Sequence, residues 1–363
     1  MNGSPIVSFS GQVIGVGHPC FIIAEACDNH LGDTDTAKRM IEEAKRAGAS
    51  AVKFQHHLVD AEMLQHLPMS ENFQKDLPLY DFLKRYSLTL DQHRELKKYA
   101  EEVVGITYMC TPFSYTAAAE LHSLDISSFK IGSGEMTDVP SLVRIAAFGK
   151  PMIVSTGMSD FSEIDRTYNE LVAIGIPFAL LHCVSEYPPV YEDINLDVLT
   201  IMRDRYPQAV IGFSDHTPDL YTSFAAVTLG AAIVEKHVIL DKDQPGPDQS
   251  VSISFEALAS LVDGIRKIEK SRGNRRIVHR KEAAVRQWAF RYVVTEQSLK
   301  AGQIISPEMI GAGMIWTKRT GHPDGIQSID IQKLVGATVV RNIPPNTPLF
   351  WRDVRLSEQI QTS

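Results

Sequence analysis

The sequence predicts a (β/α)8 barrel followed by a small β-rich domain. Three observations carry that expectation. Strand-like and helix-like runs alternate eight times between about Phe21 and Arg272, an order that builds a parallel sheet and, at eight units, a closed barrel. The strand-like runs are short, apolar and rich in β-branched residues, as strands buried on both faces are. After Arg272 the texture changes to short strands, turns and many Gly and Pro. A doubly wound open sheet is the competing arrangement, but no GxGxxG follows the first strand.

Taken in order, VSFSGQVIGVG alternates around Gly11 and predicts a hairpin ahead of the barrel. The eight barrel strands are read in FIIAEAC, SAVKFQ, ITYMCT, SSFKIGS, PMIVSTG, FALLHCV, VIGFSD and AIVEKHVI. The first helix lies in TDTAKRMIEEAKRAG. There Ala37, Met40, Ile41 and Ala44 share a face, Lys45 and Arg46 complement the dipole at its C-terminus, and Gly48 is placed as C-cap. LDQHRELKKYAEEV, DFSEIDRTYNELVAIG and NLDVLTIMRDRYP repeat the amphipathic pattern. His56 to Leu88 reads as a long second βα loop, and such loops on barrels often cover active sites. RGNRRIVHRKEAAVRQ is basic and reads as a linker with one helical stretch. FRYVVTE and LVGATVVR are strands of the last domain, roughly 70 residues and near the lower size limit for a self-sufficient core. The boundaries implied are 1–272 for hairpin and barrel, 273–287 for the linker and 288–363 for the β-rich domain.

Composition narrows the function classes. Hydrophobic residues make up 44% and charged residues 22%, as in ordinary globular proteins. A net charge of −8 argues against nucleic acid and anionic lipid as main partners. MNGSPIVSFS has neither the basic nor the apolar region of a secretory signal, and the longest apolar run, Phe224 to Val234, is too short for a bilayer. Cys20, Cys27, Cys110 and Cys183 show no CxxC spacing. They read as reduced thiols of a cytoplasmic protein, packed as small apolar residues.

Barrel chemistry sits where the strands end. His216 in SDHT and His237 in EKH close neighbouring strands, and two neutral imidazoles at one mouth suit a divalent metal. Lys53 and Gln55 share a face because side chains alternate along a strand. Thr111 ends the third strand, Lys130 and Ser133 the fourth, Ser155 the fifth and Tyr187 follows the sixth. Two lysines, two Ser/Gly turns and a threonine have the makings of a phosphate site. A lysine inside a strand must be paired or functional. Glu25 and Glu135 are candidate acid/base groups, or partners of those lysines. Asp248, in Pro245-Gly246-Pro247-Asp248, either faces sugar hydroxyls or belongs to an ordinary turn, and Arg319 belongs to the small domain.

Jointly, FIIAEACDNHLGD, AVKFQ, TPFS, FKIGSGE, IVSTGM, LHCVSEYP, GFSDHT, EKHVILD, PGPD and TKRTG follow the order and spacing of the sialic acid synthases. The chain resembles a bacterial nonulosonic acid synthase over nearly its whole length, and its last domain resembles the antifreeze-like SAF domain of that family. The resemblance implies condensation of phosphoenolpyruvate with an N-acetylated amino sugar, assisted by Mn2+ or Mg2+. It implies His216 and His237 as metal ligands, and Lys53, Thr111, Lys130, Ser133 and Ser155 as phosphoenolpyruvate contacts. Gln55, Tyr187 and Asp248 match sugar-binding positions, and Glu25 and Glu135 match acidic residues at the reacting centre. Arg319 matches an arginine inserted into a partner subunit's barrel, which implies a domain-swapped homodimer. The chain departs from the family at Glu25-Ala26-Cys27-Asp28-Asn29-His30, where relatives read E-I-G-x-N-H, and at Pro189, Gln249 and Thr320. N-acetylmannosamine and two 2,4-diacetamido-6-deoxyhexoses remain open as acceptors. Two other readings compete: a class I aldolase with Lys130 or Lys53 as Schiff base, and a saccharide- or ice-binding protein with an inert barrel.

Overall fold

The computed structural model describes residues 4–66, 77–243 and 248–357. The chain divides into two compact units, Met1–Arg272 and Gly273–Ser363. The first opens with the hairpin β1 (Ile6–Phe9) and β2 (Gln12–Gly15), paired antiparallel. Eight parallel strands follow: β3 (Phe21–Glu25), β4 (Ala51–His56), β5 (Thr107–Pro112), β6 (Phe129–Ile131), β7 (Met152–Ser155), β8 (Phe178–Cys183), β9 (Val210–Asp215) and β10 (Ile233–Ile239). They run in the order β5-β4-β3-β10-β9-β8-β7-β6, and β6 adjoins β5 to close the ring. The short strand β11 (Ile253–Ser254) extends β10. The open doubly wound alternative is excluded.

The helices that cover the barrel are α1 (Thr34–Ala47), α2 (Val59–Glu62), α3 (Leu79–Tyr86), α4 (Leu90–Lys98), α5 (Tyr115–Ser123), α6 (Val139–Ala146), α7 (Phe161–Ile174), α8 (Tyr191–Ile194), α9 (Val198–Arg205), α10 (Tyr221–Leu229) and α11 (Phe255–Ser271). α1 ends as its sequence implies: Gly48 adopts φ 86° and its N–H caps Ala44 and Lys45 carbonyls. The stretch LDQHRELKKYAEEV is not one α-helix. It runs as α4 and then as a π-helical turn, Tyr99–Val104, because i→i+5 bonds carry it over one extra residue before Gly105 reverses the chain at φ 74°. The long loop after β4 holds α2 and α3, while part of it, residues 67–76, lies outside the described residues. So do Pro245, Gly246 and Pro247.

Parity along the strands sorts the side chains into two shells. Ile22, Ala24, Val52, Phe54, Tyr108, Cys110, Phe129, Val154, Leu180 and Phe213 face the helices. Their neighbours face the lumen. At the N-terminal end the lumen is apolar: Phe21, Ile23, Ala51, Met109, Ile153, Leu181, Val210 and Ile233 pack there with Val7, Phe9 and Ile14 of the hairpin. The hairpin thus plugs the bottom of the barrel.

The second unit carries α12 (Arg280–Ala289) in the basic stretch. Its strands are β12 (Arg291–Thr295), β13 (Ile315–Arg319), β14 (Thr338–Val339), β15 (Thr347–Pro348) and β16 (Val354–Arg355), in two small antiparallel sheets. Val293, Leu299, Ile305, Ile315, Ile326 and Leu349 form its core. Among the described residues no helix is long and apolar enough to cross a membrane.

One ion pair holds β9 to β10 on the helix-facing side. Lys236 is in register with Asp215 and lies 3.0 Å from its Oδ2, both side chains wholly buried. Asp215 also accepts from the Thr217 backbone N–H and from the hydroxyls of Thr217, Thr222 and Ser223. Asp215→Ala strands a buried ammonium and four donors, so a loss of about 3–5 kcal/mol is expected in urea unfolding. A loss below about 1 kcal/mol would contradict this role for Asp215.

Candidate active site

At the C-terminal end the same inward-facing rows turn ionic. Their tips surround a cavity of 290 Å³. All twelve barrel residues singled out from sequence line it: Glu25, Lys53, Gln55, Thr111, Lys130, Ser133, Glu135, Ser155, Tyr187, His216, His237 and Asp248. Arg319 ends β13 in the second unit, exposed, its guanidinium 5.4 Å from the Trp288 ring centroid.

The floor is a lattice of four buried charges. Lys53 pairs with Glu25 and lies 3.7 Å from Glu235, while Lys130 lies 3.3 Å from the other oxygen of Glu235. Ser214 donates to Glu235 at 3.0 Å, and the Cys27 backbone N–H donates to Glu25 at 3.0 Å. Burial opposes charge on Lys53, yet the two carboxylates outweigh it and hold that ammonium well above its ordinary range. Burial also opposes ionisation of Glu235, but Lys130 and Lys53 together keep it below the usual carboxylate range. Glu25 is the group that gives way: burial, with Glu235 nearby, pushes it up to about 7 against the pull of Lys53. The lattice therefore contains two ammonium groups, one firm anion and one carboxyl poised near neutrality.

Hydroxyls rim this floor. Thr111 accepts from Lys53 Nζ at 3.0 Å. Ser133 accepts from the Gly157 N–H at 3.1 Å, and the buried Ser155 hydroxyl has no hydrogen-bond partner. A side chain at Gly132 or Gly157 would displace cavity groups. A Cβ on Gly132 would sit 2.4 Å from a Glu135 oxygen, and one on Gly157 would sit 2.2 Å from the Ser185 hydroxyl. Ammonium groups, hydroxyls and close-approaching backbone suit a small multiply charged anion.

The opposite wall holds the histidines. Their ring centroids are 5.1 Å apart, and Tyr187 stacks on His216 at 4.3 Å. His216 Nδ1–H donates to the Val184 carbonyl at 2.7 Å; burial opposes charge on this ring, but Cys183 beside it prevails and raises it to about 9, so a cation at Nε2 would displace a proton. His237 Nδ1 is buried with no hydrogen bond, 4.0 Å from Asp248. Burial, reinforced by His216 and Lys53, holds His237 neutral. Cys27, His237 and Asp248 present ligand atoms within 4.8 Å of one another. A free imidazole nitrogen, a carboxylate and a thiol fit a divalent cation.

Among the lining residues to which sequence reading gave no role are Glu235, His57 and Glu62; Asp28 it placed after the first strand without assigning a task. Glu235 was the most accessible to it, since Glu235 stands two before His237 and parity turns it inward. His57 follows β4 directly. Its ring stacks on Phe113 at 4.2 Å, with Nδ1 2.8 Å from Glu62 and Nε2 3.4 Å from Asp28. Burial disfavours its charge, but Asp28 and Glu62 prevail and push it up to about 10. Of His57, Glu62 and Asp28, only Asp28 falls within a motif read from the sequence. His182, at the end of β8, faces away from the cavity and donates to the Ile194 carbonyl.

A family model described as the NeuB family matches residues 40–276, and one described as the SAF domain matches residues 290–355. The chain is 34% identical to the human N-acetylneuraminate-9-phosphate synthase, over 91% of each chain. It is 33% identical to the N,N'-diacetyllegionaminic acid synthase of Legionella pneumophila, over 94% of this chain and 96% of that protein. The crystal structure of N-acetylneuraminic acid (sialic acid) synthetase from Leptospira borgpetersenii, in complex with citrate, superposes with a TM-score of 0.69 at 30% identity, covering 78% of this chain and 96% of that one.

Glu135 yields a pH-dependent prediction. Burial, then Glu62, pushes its carboxyl up to about 7, and one of its oxygens has no hydrogen-bond partner. From an ordinary value of 4.5 to about 7, the folded chain keeps a proton that the unfolded chain releases. Stability therefore falls as pH rises through that window and bears the full cost above it. Glu135→Gln is expected to stabilise the fold by roughly 1–3 kcal/mol at pH near 8 and not at pH near 4. Thermal melts at the two pH values check this, and an equal gain at both would contradict it.

Proposed function

The chain belongs to the NeuB family, and on that premise we propose that it condenses phosphoenolpyruvate with the open-chain aldehyde of an N-acetylated hexosamine, giving a nonulosonic acid and phosphate. The observation that carries this reading is the convergence of Lys53, Lys130, Thr111, Ser133 and Ser155 on one cavity, facing a neutral His237 with an unused nitrogen.

Each residue then has a task. Lys53 and Lys130 neutralise the phosphate and carboxylate of phosphoenolpyruvate, and the hydroxyls of Thr111, Ser133 and Ser155 fix its orientation. Gln55, Tyr187 and Asp248 hold the sugar. His216 and His237 would hold a divalent cation, Mn2+ or Mg2+, which when bound supplies Lewis-acid polarisation of the aldehyde oxygen. Carbon 3 of phosphoenolpyruvate attacks the aldehyde carbon, whose oxygen takes a proton and becomes a hydroxyl. Carbon 2 is left electron-poor. Water adds to carbon 2 and gives its proton to Glu25 or Glu135, both with pKa values near 7 and so matched to this transfer. The carbon-2 hydroxyl then gives its remaining proton to the departing phosphate as the bond from carbon 2 to the bridging oxygen breaks, and the ketone remains.

The Schiff-base reading through Lys53 is disfavoured by the same lattice. An amine that attacks a carbonyl must be neutral, whereas Lys53 is held as an ammonium by Glu235 and Glu25. An inert saccharide-binding barrel would have no reason to keep four charges buried under a polar cavity.

For Arg319 the proposal follows the family resemblance. In a domain-swapped homodimer it reaches the sugar in the partner's barrel, where a guanidinium satisfies several oxygens at once.

Two measurements test this. With phosphoenolpyruvate and a panel of N-acetylmannosamine and 2,4-diacetamido-6-deoxyhexoses in oxygen-18 water, label is expected at carbon 2 of the product. Label in phosphate with none at carbon 2 would mean P–O cleavage. Arg319→Ala is expected to fold and to lose at least about tenfold in kcat/KM, roughly 1.4 kcal/mol. Mixing it with Lys53→Ala should restore activity if subunits exchange and one mixed site has both parts. An inert mixture, with exchange shown independently, would overturn the swapped arrangement.

A further inference from the structure

Cys27 sits in the turn that follows β3. Its backbone shows why glycine suits the place: φ is 40°, in the left-handed region that β-carbon-bearing residues avoid. A thiol is therefore held there at a conformational cost, and it is not spent on core packing alone. Its side chain faces the Asp248 carboxylate, and the sulfur, a ring nitrogen of His237 and an Asp248 oxygen lie within 4.8 Å of one another, all buried. A second observation stands beside the cysteine. His237 is 5% exposed, its Nδ1 has no hydrogen-bond partner, and that atom points toward Asp248. A buried imidazole nitrogen left unsatisfied between a carboxylate and a thiol completes a set of metal donors.

Resting on the metal-assisted condensation proposed above, we propose that Cys27 is a thiolate ligand of the divalent cation, joining His237 and Asp248, so that this site prefers a thiophilic cation such as Co2+ or Zn2+ to Mg2+. Donors about 2.0–2.3 Å from one cation lie closer together than 4.8 Å, so the three close on it with shifts of about an ångström. Binding breaks the S–H bond, forms the metal–sulfur bond and releases the proton to solvent. The hard ligands favoured by Mg2+ are oxygens, and a sulfur in the set shifts selectivity toward softer ions.

The test is Co2+ titration of the full chain after chelator treatment, under reducing and anaerobic conditions. The wild type is expected to develop a near-ultraviolet sulfur-to-cobalt charge-transfer absorption at one equivalent. Cys27→Ser and Cys27→Gly should lose it and bind Co2+ and Zn2+ at least about tenfold more weakly in chelator competition. Glycine tolerates φ 40°, so the second variant folds even if the first does not. Cys183→Ser controls for the thiol that lines the cavity, 3.9 Å from His216 Nδ1, and should keep the band. Stoichiometric Co2+ without the band, an unchanged band in both Cys27 variants, or a band lost only in Cys183→Ser overturns the assignment. Turnover of phosphoenolpyruvate is scored separately with Mn2+. A chain that turns over without a thiolate band loses this inference and keeps the proposed function. A Cys27-dependent band without turnover keeps the ligand and loses the proposed function.

Discussion

Two ammonium groups buried at the mouth of a barrel require two carboxylates beside them, and much of the first unit is arranged around that requirement. Lys53, Lys130, Glu25 and Glu235 come from four strands, yet each side chain ends within a few ångströms of the next. Removing any one leaves a buried charge uncompensated. The four can meet only if the registers of β3, β4, β6 and β10 place them inward at one height. Register and site are thus the same constraint. A slip of one residue in any of these strands would turn a charge into the helix layer and an apolar residue into the cavity. The lattice is also the reason one carboxyl is available for proton transfer. Two cations cannot hold two anions equally in low dielectric when geometry favours one, so Glu235 stays ionised and Glu25 is pushed up to about 7.

The helix-facing side of the same strands has its own fastening. Asp215 and Lys236 lie across β9 and β10, one residue before His216 and His237 respectively. Alternation then sends the two histidines to the opposite side, into the cavity. The imidazoles are placed by a buried ion pair that does not touch the cavity. That separation matters mechanically, because a ligand pair fixed from behind does not depend on its own side chains for backbone position.

This parity explains what the sequence made legible. A lysine in an apolar strand, with glutamine two residues on, marks an inward row by alternation alone, and Lys53 and Gln55 lie in such a row. Serine, threonine and glycine at strand ends reveal the rim in the same way. Glu235 follows the rule too, but its motif is equally well explained by the histidine two residues on. His57 and Glu62 could not be read, nor could their meeting with Asp28. They meet through a turn and a helix inside an irregular loop, where no period relates position to direction. The π-helical turn after α4 escaped for a related reason, since an amphipathic pattern looks the same whether one residue is added or not. Cys27 read as a small buried side chain, and it is buried; what sequence could not show is which atoms share its pocket.

The cavity is therefore built in two tiers with different freedom to change. The floor is fixed by strand register and by charge balance, so its chemistry can tolerate little substitution. The wall is supplied by loops. His57, Glu62, Leu79 and Leu83 line it from the segment after β4, joined by Phe113 after β5 and Met158 after β7. These side chains combine an imidazolium with apolar surface, a pairing suited to a ligand with both polar and apolar substituents. None of them supports a strand, so loop sequence can vary there without disturbing the lattice beneath. A scaffold of this kind can hold its floor constant while its wall varies. The division follows the chain's own geometry: Lys53, Lys130 and Glu235 lie within strands, whereas His57, Phe113 and Met158 lie beyond strand ends.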